Sequence, residues 1–249
     1  GYAVDNLVLQ GDGFGFSGSA HLDASYGLQS ADIDRLSLRA GDSVSLKLSR
    51  GKNGYAITAR GDAFDLRGMI GHVRDRNDQA GGFPDLAVDA RIGKLVGYNN
   101  EEIDTASLSL VSVGGETQKV AFSGTLGGDP IALNFAVAPN GTTLSGDAED
   151  AGRLLRFLDV YTRVSGGVMR VSGQAGKSGP LVGTLEVDGF DVQNEPAMER
   201  VVVNKTDSFN PHSVHFDRMV ARFRRTDRVL TIEDALLAGA TVGATFSGR

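Results

Sequence analysis

Histidine is the scarcest chemistry-bearing residue in this 249-residue chain, with His21, His72, His212 and His215. Of these, His212 and His215, in Pro211-His-Ser-Val-His215, are near enough in sequence to share a metal. On a strand, positions i and i+3 face opposite sides and the two imidazoles diverge; on a loop they can converge. Surface or interface histidine is the commoner reading. A Ser/His/Asp hydrolase would need its nucleophile on a strained Gly-x-Ser-x-Gly turn. Gly15-Phe-Ser-Gly18 and Phe122-Ser-Gly124 instead read as strand ends followed by turns. A glycosidase would need paired carboxylates in a cleft. Most Asp and Glu here alternate with apolar residues, which places them on solvated faces. Gly11-Asp-Gly-Phe-Gly15 has the glycine density of a phosphate loop, but no helix follows to supply N–H groups. Asp12 and Asp23 do not match a calcium-loop spacing. Cysteine is absent, which removes disulfides and thiolate metal sites. The sequence therefore assigns no catalytic residue, metal or cofactor, and the chain is not read as an enzyme.

The elements that would position such residues are mostly strands. Hydrophobics recur at every second position: Leu36, Leu38; Val44, Leu46, Leu48; Tyr55, Ile57, Ala59; Leu86, Val88, Ala90, Ile92; Ala106, Leu108, Leu110; Val120, Phe122; Ile131, Leu133, Phe135, Val137. The pattern resumes at Leu185, Val187; Val214, Phe216; Leu230, Ile232; and Val242, Ala244, Phe246. Polar residues fill the gaps, so one face is apolar and the other wet, as in an antiparallel meander. Turns are expected at Arg50–Gly54, Gly81-Gly82, Gly114-Gly115, Gly127–Pro130, Pro139–Gly141 and Gly166-Gly167.

One stretch breaks the alternation. Residues 147–163 read as an amphipathic helix, with Asp147 as N-cap and Glu149 and Asp150 in the first turn. Ala151, Leu154, Leu155, Leu158 and Tyr161 form its apolar stripe, and Gly166-Gly167 would end it. Shorter helices are expected at Glu195–Val201 and Phe64–Ile70, and loops at Arg74–Gly82 and Lys205–His212. The fold class is therefore mostly β: a long twisted antiparallel sheet curled into an open groove or half-barrel, with one clear helix. The whole chain, 1–249, reads as a single segment, with sheet blocks at 1–146 and 164–249 either side of the helix. No Pro- or Ser-rich linker accompanies that helix, and its stripe needs a sheet to cover.

Composition narrows the partners. Net charge is -6 with both signs interspersed, which argues against a nucleic-acid surface. There is no polybasic handle for anionic headgroups. Trp is absent, so stacking platforms are poor. No apolar run approaches the roughly 20 residues that span a bilayer, and no signal peptide is present. Beginning at Gly1-Tyr-Ala-Val and stopping on Ala244–Arg249, the sequence reads as an excised piece of something longer, with targeting signals expected outside it.

The apolar face is what remains. Alternation alone favours an ordinary sandwich core. The sharper reading is a face left partly open as a trough for acyl chains, because its positions mix Leu, Val, Ile and Phe with many small residues. Each buried methylene of a lipid tail contributes ~0.8 kcal/mol, so a shallow trough can hold a chain without specific contacts. The lining residues would be Leu36, Leu38, Leu46, Leu48, Ile57, Leu108, Leu110, Val120, Phe122, Ile131, Leu133 and Phe135, with Leu154, Leu155 and Leu158 from the helix.

Three stretches carry a family resemblance. The first is Leu86-Ala-Val-Asp-Ala-Arg-Ile-Gly-Lys-Leu-Val-Gly-Tyr-Asn-Asn100 with Ala106–Leu110. The second is Leu144–Tyr161, with its Asp-Ala-Gly helix, followed by Val164–Gly173. The third is Gly179–Met198, with Asn-Glu-Pro, continuing through His215–Met219 to Leu230–Ala235 and Gly243–Gly248. Together they resemble the AsmA-like C-terminal region of alphaproteobacterial YhdP-type and, more distantly, TamB-type periplasmic proteins. The chain departs from the usual family pattern after Val201, where Asn204–Pro211 stands in place of apolar helix. The resemblance implies a segment of a bridge-like lipid transport protein, holding phospholipid or another acyl-chain lipid in a β-groove between inner and outer membrane. It implies a periplasmic location and anchoring to the inner membrane through a region outside this chain. Other envelope proteins are possible partners, and the alternative is a non-catalytic envelope scaffold with a closed β core. The family offers no catalytic residues to carry over; it implies structural roles for Gly152, in close helix–sheet packing, and Asp150, at the helix start.

Overall fold

The computed structural model describes residues 1–74, 85–196, 212–226, 229–240 and 243–248. The alternation emerges as one sheet of fifteen strands, open rather than closed into a barrel, in which spatial order equals chain order. The strands are β1 (Tyr2–Gly11), β2 (Phe14–Leu22), β3 (Leu28–Ser37), β4 (Ser43–Arg50), β5 (Gly54–Asp65), β6 (Asp85–Val96), β7 (Glu102–Val113) and β8 (Glu116–Leu126). They continue as β9 (Asp129–Ala138), β10 (Gly141–Ala148), β11 (Val164–Ala175), β12 (Leu181–Gln193), β13 (Ser213–Thr226), β14 (Val229–Ala238) and β15 (Gly243–Gly248). Two helices are described, α1 (Arg67–Arg74) and α2 (Ala151–Phe157). The chain divides into two compact units, Gly1–Thr125 and Leu126–Arg249.

In the first unit, hairpin turns hold neighbouring strands antiparallel; at the β7–β8 turn Gly114 and Gly115 take φ of +60° and +83°, a twist that suits glycine. The glycine-dense segment 11–15 is likewise the β1–β2 hairpin. The exception to antiparallel pairing is β5 with β6, which run parallel, Ile57 opposite Val88 and Gly61 opposite Ile92. A parallel pair needs a crossover, and α1 begins it. This helix starts later than the expected Phe64, because Phe64 and Asp65 are still paired to β6. The expected loop at Arg74–Gly82 and turn at Gly81-Gly82 lie almost wholly outside the described residues.

The second unit is built the same way, with α2 between β10 and β11. This helix is shorter than the expected 147–163, and Asp147 does not cap it. β10 pairs with both neighbours through Ala148, opposite Ile131 and Met169, which keeps Asp147 in the sheet. The N-cap is Asp150, whose carboxylate accepts from the Arg153 backbone N–H at 2.9 Å. Asp159 stops the helix at φ +53°, so Tyr161 and Arg163 lie beyond it. Ala151 is fully buried, and a Cβ on Gly152 would stand 2.6 Å from the Val164 carbonyl oxygen and 2.9 Å from Ser165 Cα. Helix and strand backbones therefore touch at Gly152, where only glycine fits. Gly166-Gly167 does not end the helix but lies within β11. Of the Glu195–Val201 helix and the Lys205–His212 loop, most residues fall outside those described.

Candidate functional site: an apolar face read across the strands

Directly opposite residues of neighbouring strands share a face, so register turns single alternations into rows. In the first unit one row runs Phe16, Leu36, Val44, Gly61, Ile92, Ala106. The next runs Gly18, Ile33, Leu46, Ala59, Ala90, Leu108, and a third Ala20, Ala31, Leu48, Ile57, Val88, Leu110. Six of the residues expected to line a trough, Leu36, Leu46, Leu48, Ile57, Leu108 and Leu110, therefore meet on one face, all half-buried. Val120 and Phe122 on β8 are also half-buried, four and two positions before Gly124, whose missing Cβ would meet Ile103.

Leu38 is not among them. It lies past the end of β3, half exposed at 50 %, in a turn held by Asp42. That carboxylate accepts from the Leu38 and Arg39 backbone N–H groups at 3.0 and 2.9 Å and from the Asp65 N–H at 2.8 Å. Asp42 thus ties the β3–β4 turn to the end of β5. Asp65 in turn pairs with Arg67 and Arg39 at 2.5 and 3.3 Å. The Arg67 guanidinium beside Asp65 holds its carboxyl below the ordinary range.

In the second unit the rows are Ile131, Ala148, Met169, Val187, Met219, Leu237; then Leu133, Gly146, Val171, Leu185, Ala221, Ala235; then Phe135, Leu144, Gly173, Gly183, Phe223, Ile232. Ile131, Leu133 and Phe135 therefore share a face but not an environment. Ile131 is 7 % exposed, Leu133 37 %, and Phe135 lies between buried and exposed. Among the described residues, α2 is the helix that packs on a sheet face, against β11 and β12. Ala151, Val164, Val187, Phe190, Val192, Val214 and Phe216 form a buried cluster there, with Leu155, Met169, Met219 and Leu237 around it. Phe190 and Phe216 stack with centroids 5.5 Å apart. Of the three helix leucines, Leu155 joins this cluster; Leu154 is half-buried outside it, and the backbone N–H of half-buried Leu158 caps the helix end. Among the described residues, no helix packs over the Leu133 and Phe135 strand, β9.

The opposite face is charged. Asp32–Lys47 at 3.1 Å, Asp89–Arg60 and Glu102–Lys94 at 2.6 Å bridge strands in the first unit. In the second, Arg218 bridges Glu186 at 2.6 Å and Asp188 at 3.5 Å, and Arg170 reaches Asp188 at 3.1 Å. His215 lies on this face, its Nδ1 3.1 Å from Asp191. His21 is on β2, His72 on α1 and His212 just before β13, so no two histidines converge on one side of a strand. Among the described residues, no three His, Asp or Glu side chains gather in a metal-holding arrangement. Near the α2 exit the Tyr161 hydroxyl donates to Glu195 at 2.5 Å, and burial together with that carboxylate pushes its pKa up to about 12.

Strict alternation overlooked several members of the face. Small residues such as Gly18, Ala31, Gly146, Gly173 and Gly183 carry no hydrophobic signal, yet they set the depth of each row. Phe190 was hidden by a change of face at Gly189, where φ is +63°: Val187 and Phe190, three positions apart, are both buried, while the pairing register with β11 and β13 runs on unshifted. A glycine next to an aromatic within a strand is the one trace of it in the sequence. Comparisons with protein-family models, curated proteins and solved structures return no match for this chain.

Proposed function

We propose that the chain is a segment of a lipid-conducting envelope protein that holds phospholipid acyl chains non-covalently on its apolar sheet face. The observation that carries this reading is the set of in-register apolar rows, buried to half-buried, on which α2 is the described helix that packs, backed by an ion-paired face. A row crosses strands about every 4.8 Å without a polar side chain, which is the environment an aliphatic tail needs. The reading needs no turnover chemistry. The setting proposed with it is the periplasm, with attachment to the inner membrane through a region outside this chain. No described helix is long and apolar enough to cross a membrane.

A second reading, a non-catalytic scaffold partnered by other envelope proteins, draws on β1. Every residue of that edge strand is exposed, including Val8 at 65 % and Leu9 at 51 %. Such an edge can accept a further strand. Mass spectrometry of lipids extracted from the stringently washed, folded protein separates the two. Stoichiometric phospholipid is expected; a folded protein free of lipid overturns the conduit reading and leaves the scaffold.

A further inference from the structure

The third row of the second unit contains a built-in obstruction. Gly173 on β11, Gly183 on β12 and Phe223 on β13 stand directly opposite one another. Phe223 is 8 % exposed. Its Cζ lies 2.4 Å from where a Cβ of Gly183 would stand and 3.4 Å from where a Cβ of Gly173 would stand. The ring therefore lies along the row rather than upright, reaching from its own strand across β12 towards β11. It fills the space that the two glycines vacate. Leu144 continues the row beyond Gly173, and Ile232 continues it behind Phe223. On one side lies the row of Val171, Leu185 and Ala221; on the other are Ala175, opposite Thr142, and Leu181, opposite Arg225.

Without the ring, the two glycines would leave a bare-backbone slot about two strand spacings long, roughly 10 Å, aligned with the direction a tail must follow from strand to strand. We propose that Phe223 is a gating residue of the acyl track, a resident side chain that a passing aliphatic chain displaces by rotation about χ1. This rests on the conduit reading of the same face. The ring's bland role, shielding glycine backbone from water, predicts a stability effect with no effect on binding.

The test is the affinity of pyrene-labelled hexadecanoic acid for the full chain and for Phe223→Ala and Phe223→Leu, with folding checked by circular dichroism. Wild-type binding, with Phe223→Ala about tenfold tighter and Phe223→Leu between, is expected; burying about two more methylenes at roughly 0.8 kcal/mol each gives that factor. Binding by Phe223→Ala alone also supports the gate. Wild-type binding with both folded variants equal or weaker overturns the gate and leaves the conduit reading standing. No binding by any form overturns the conduit reading itself. Should Phe223→Ala not fold, Phe223→Leu and photolabelling of the wild type with a diazirine-bearing hexadecanoic acid decide the matter. Label at Phe223, Leu185 or Ile232 supports the gate, and label confined elsewhere on the chain overturns it.

Discussion

Leu133→Glu separates a trough from a core more sharply than other substitutions on this face. Leu133 is 37 % exposed and stands opposite Gly146, whose missing side chain leaves the leucine methyl and Val171 as near neighbours across the gap. Complete burial of a leucine side chain is worth about 1.5–3 kcal/mol, so partial burial here puts the loss at about 1–2 kcal/mol. A carboxylate at that position can turn to water over Gly146, and the fold should survive. An acyl chain lying in the Leu133 row would have to strip water from that carboxylate. Covering an unpaired polar group costs about 2–7 kcal/mol, and 1.4 kcal/mol is already tenfold in affinity. The expected outcome is a urea transition displaced by no more than about 2 kcal/mol, with co-purified or titrated lipid reduced at least tenfold. Phe216→Glu is the contrast: Phe216 is 0 % exposed within the α2 cluster, and a charge there should abolish folding. Folded Leu133→Glu with wild-type lipid content would refute the placement of a tail along this row.

Three further outcomes follow from packing and charge. Gly152→Ala puts a methyl 2.6 Å from the Val164 carbonyl oxygen and should cost about 1–3 kcal/mol as α2 lifts from β11, read as a lower urea midpoint. Asp42→Ala strands three backbone N–H groups at a site 6 % exposed and should cost about 3 kcal/mol, seen in the same assay, with amide exchange accelerated first at Leu38, Arg39 and Asp65. Asp65 has its pKa lowered by Arg67, so its ionised form stabilises the fold above the unfolded value of about 4, and that contribution is lost as pH falls through the lower folded value. Asp65→Asn should accordingly be less stable than wild type at pH 7, with the gap closing below about pH 4; a gap unchanged by acid would rule out the charge as its source.

How far the sequence could be read is visible residue by residue. Alternation placed Leu46, Leu48 and Ile57 correctly relative to each other because β4 and β5 pair without slippage between those positions. It failed at Leu38 because a buried carboxylate five residues into the next segment ends β3 early, and nothing in a hydrophobic period reports a carboxylate that caps a turn. It failed on the helix start because Asp147 and Asp150 are equally good caps by type; the choice was made by the ladder, which holds Ala148 between Ile131 and Met169. The parallel β5–β6 pair was unreadable for a different reason. Gly68 and Gly71 weaken α1 as a local signal, while the crossover is fixed by pairing partners far apart in sequence.

The same division makes the proposed trough harder to read than the sheet. A strand face announces itself through its large residues, but a channel along that face is defined by where large residues are missing. Gly146, Gly173 and Gly183 sit in consecutive strands of the second unit, each flanked along its own strand by a hydrophobic two positions away: Leu144, Val171 and Leu185. Scored one strand at a time they read as weak points, since a glycine in a strand interior costs entropy and packs nothing. Only in register do Gly173 and Gly183 become a continuous gap, and only side-chain placement shows the gap filled by Phe223. A sheet selected for a dry core alone would gain by filling both positions with alanine or valine, but the Gly183 position allows neither, because the Ser172 carbonyl oxygen and the Phe223 ring already occupy the space a Cβ would need, at 2.2 and 2.4 Å. The backbone contact requires glycine at 183; the ring does not follow from that requirement, since a leucine at 223 would also cover backbone. What singles out phenylalanine is reach along the row, across Gly183 towards Gly173, and on the proposed conduit reading that reach is what makes it a gate.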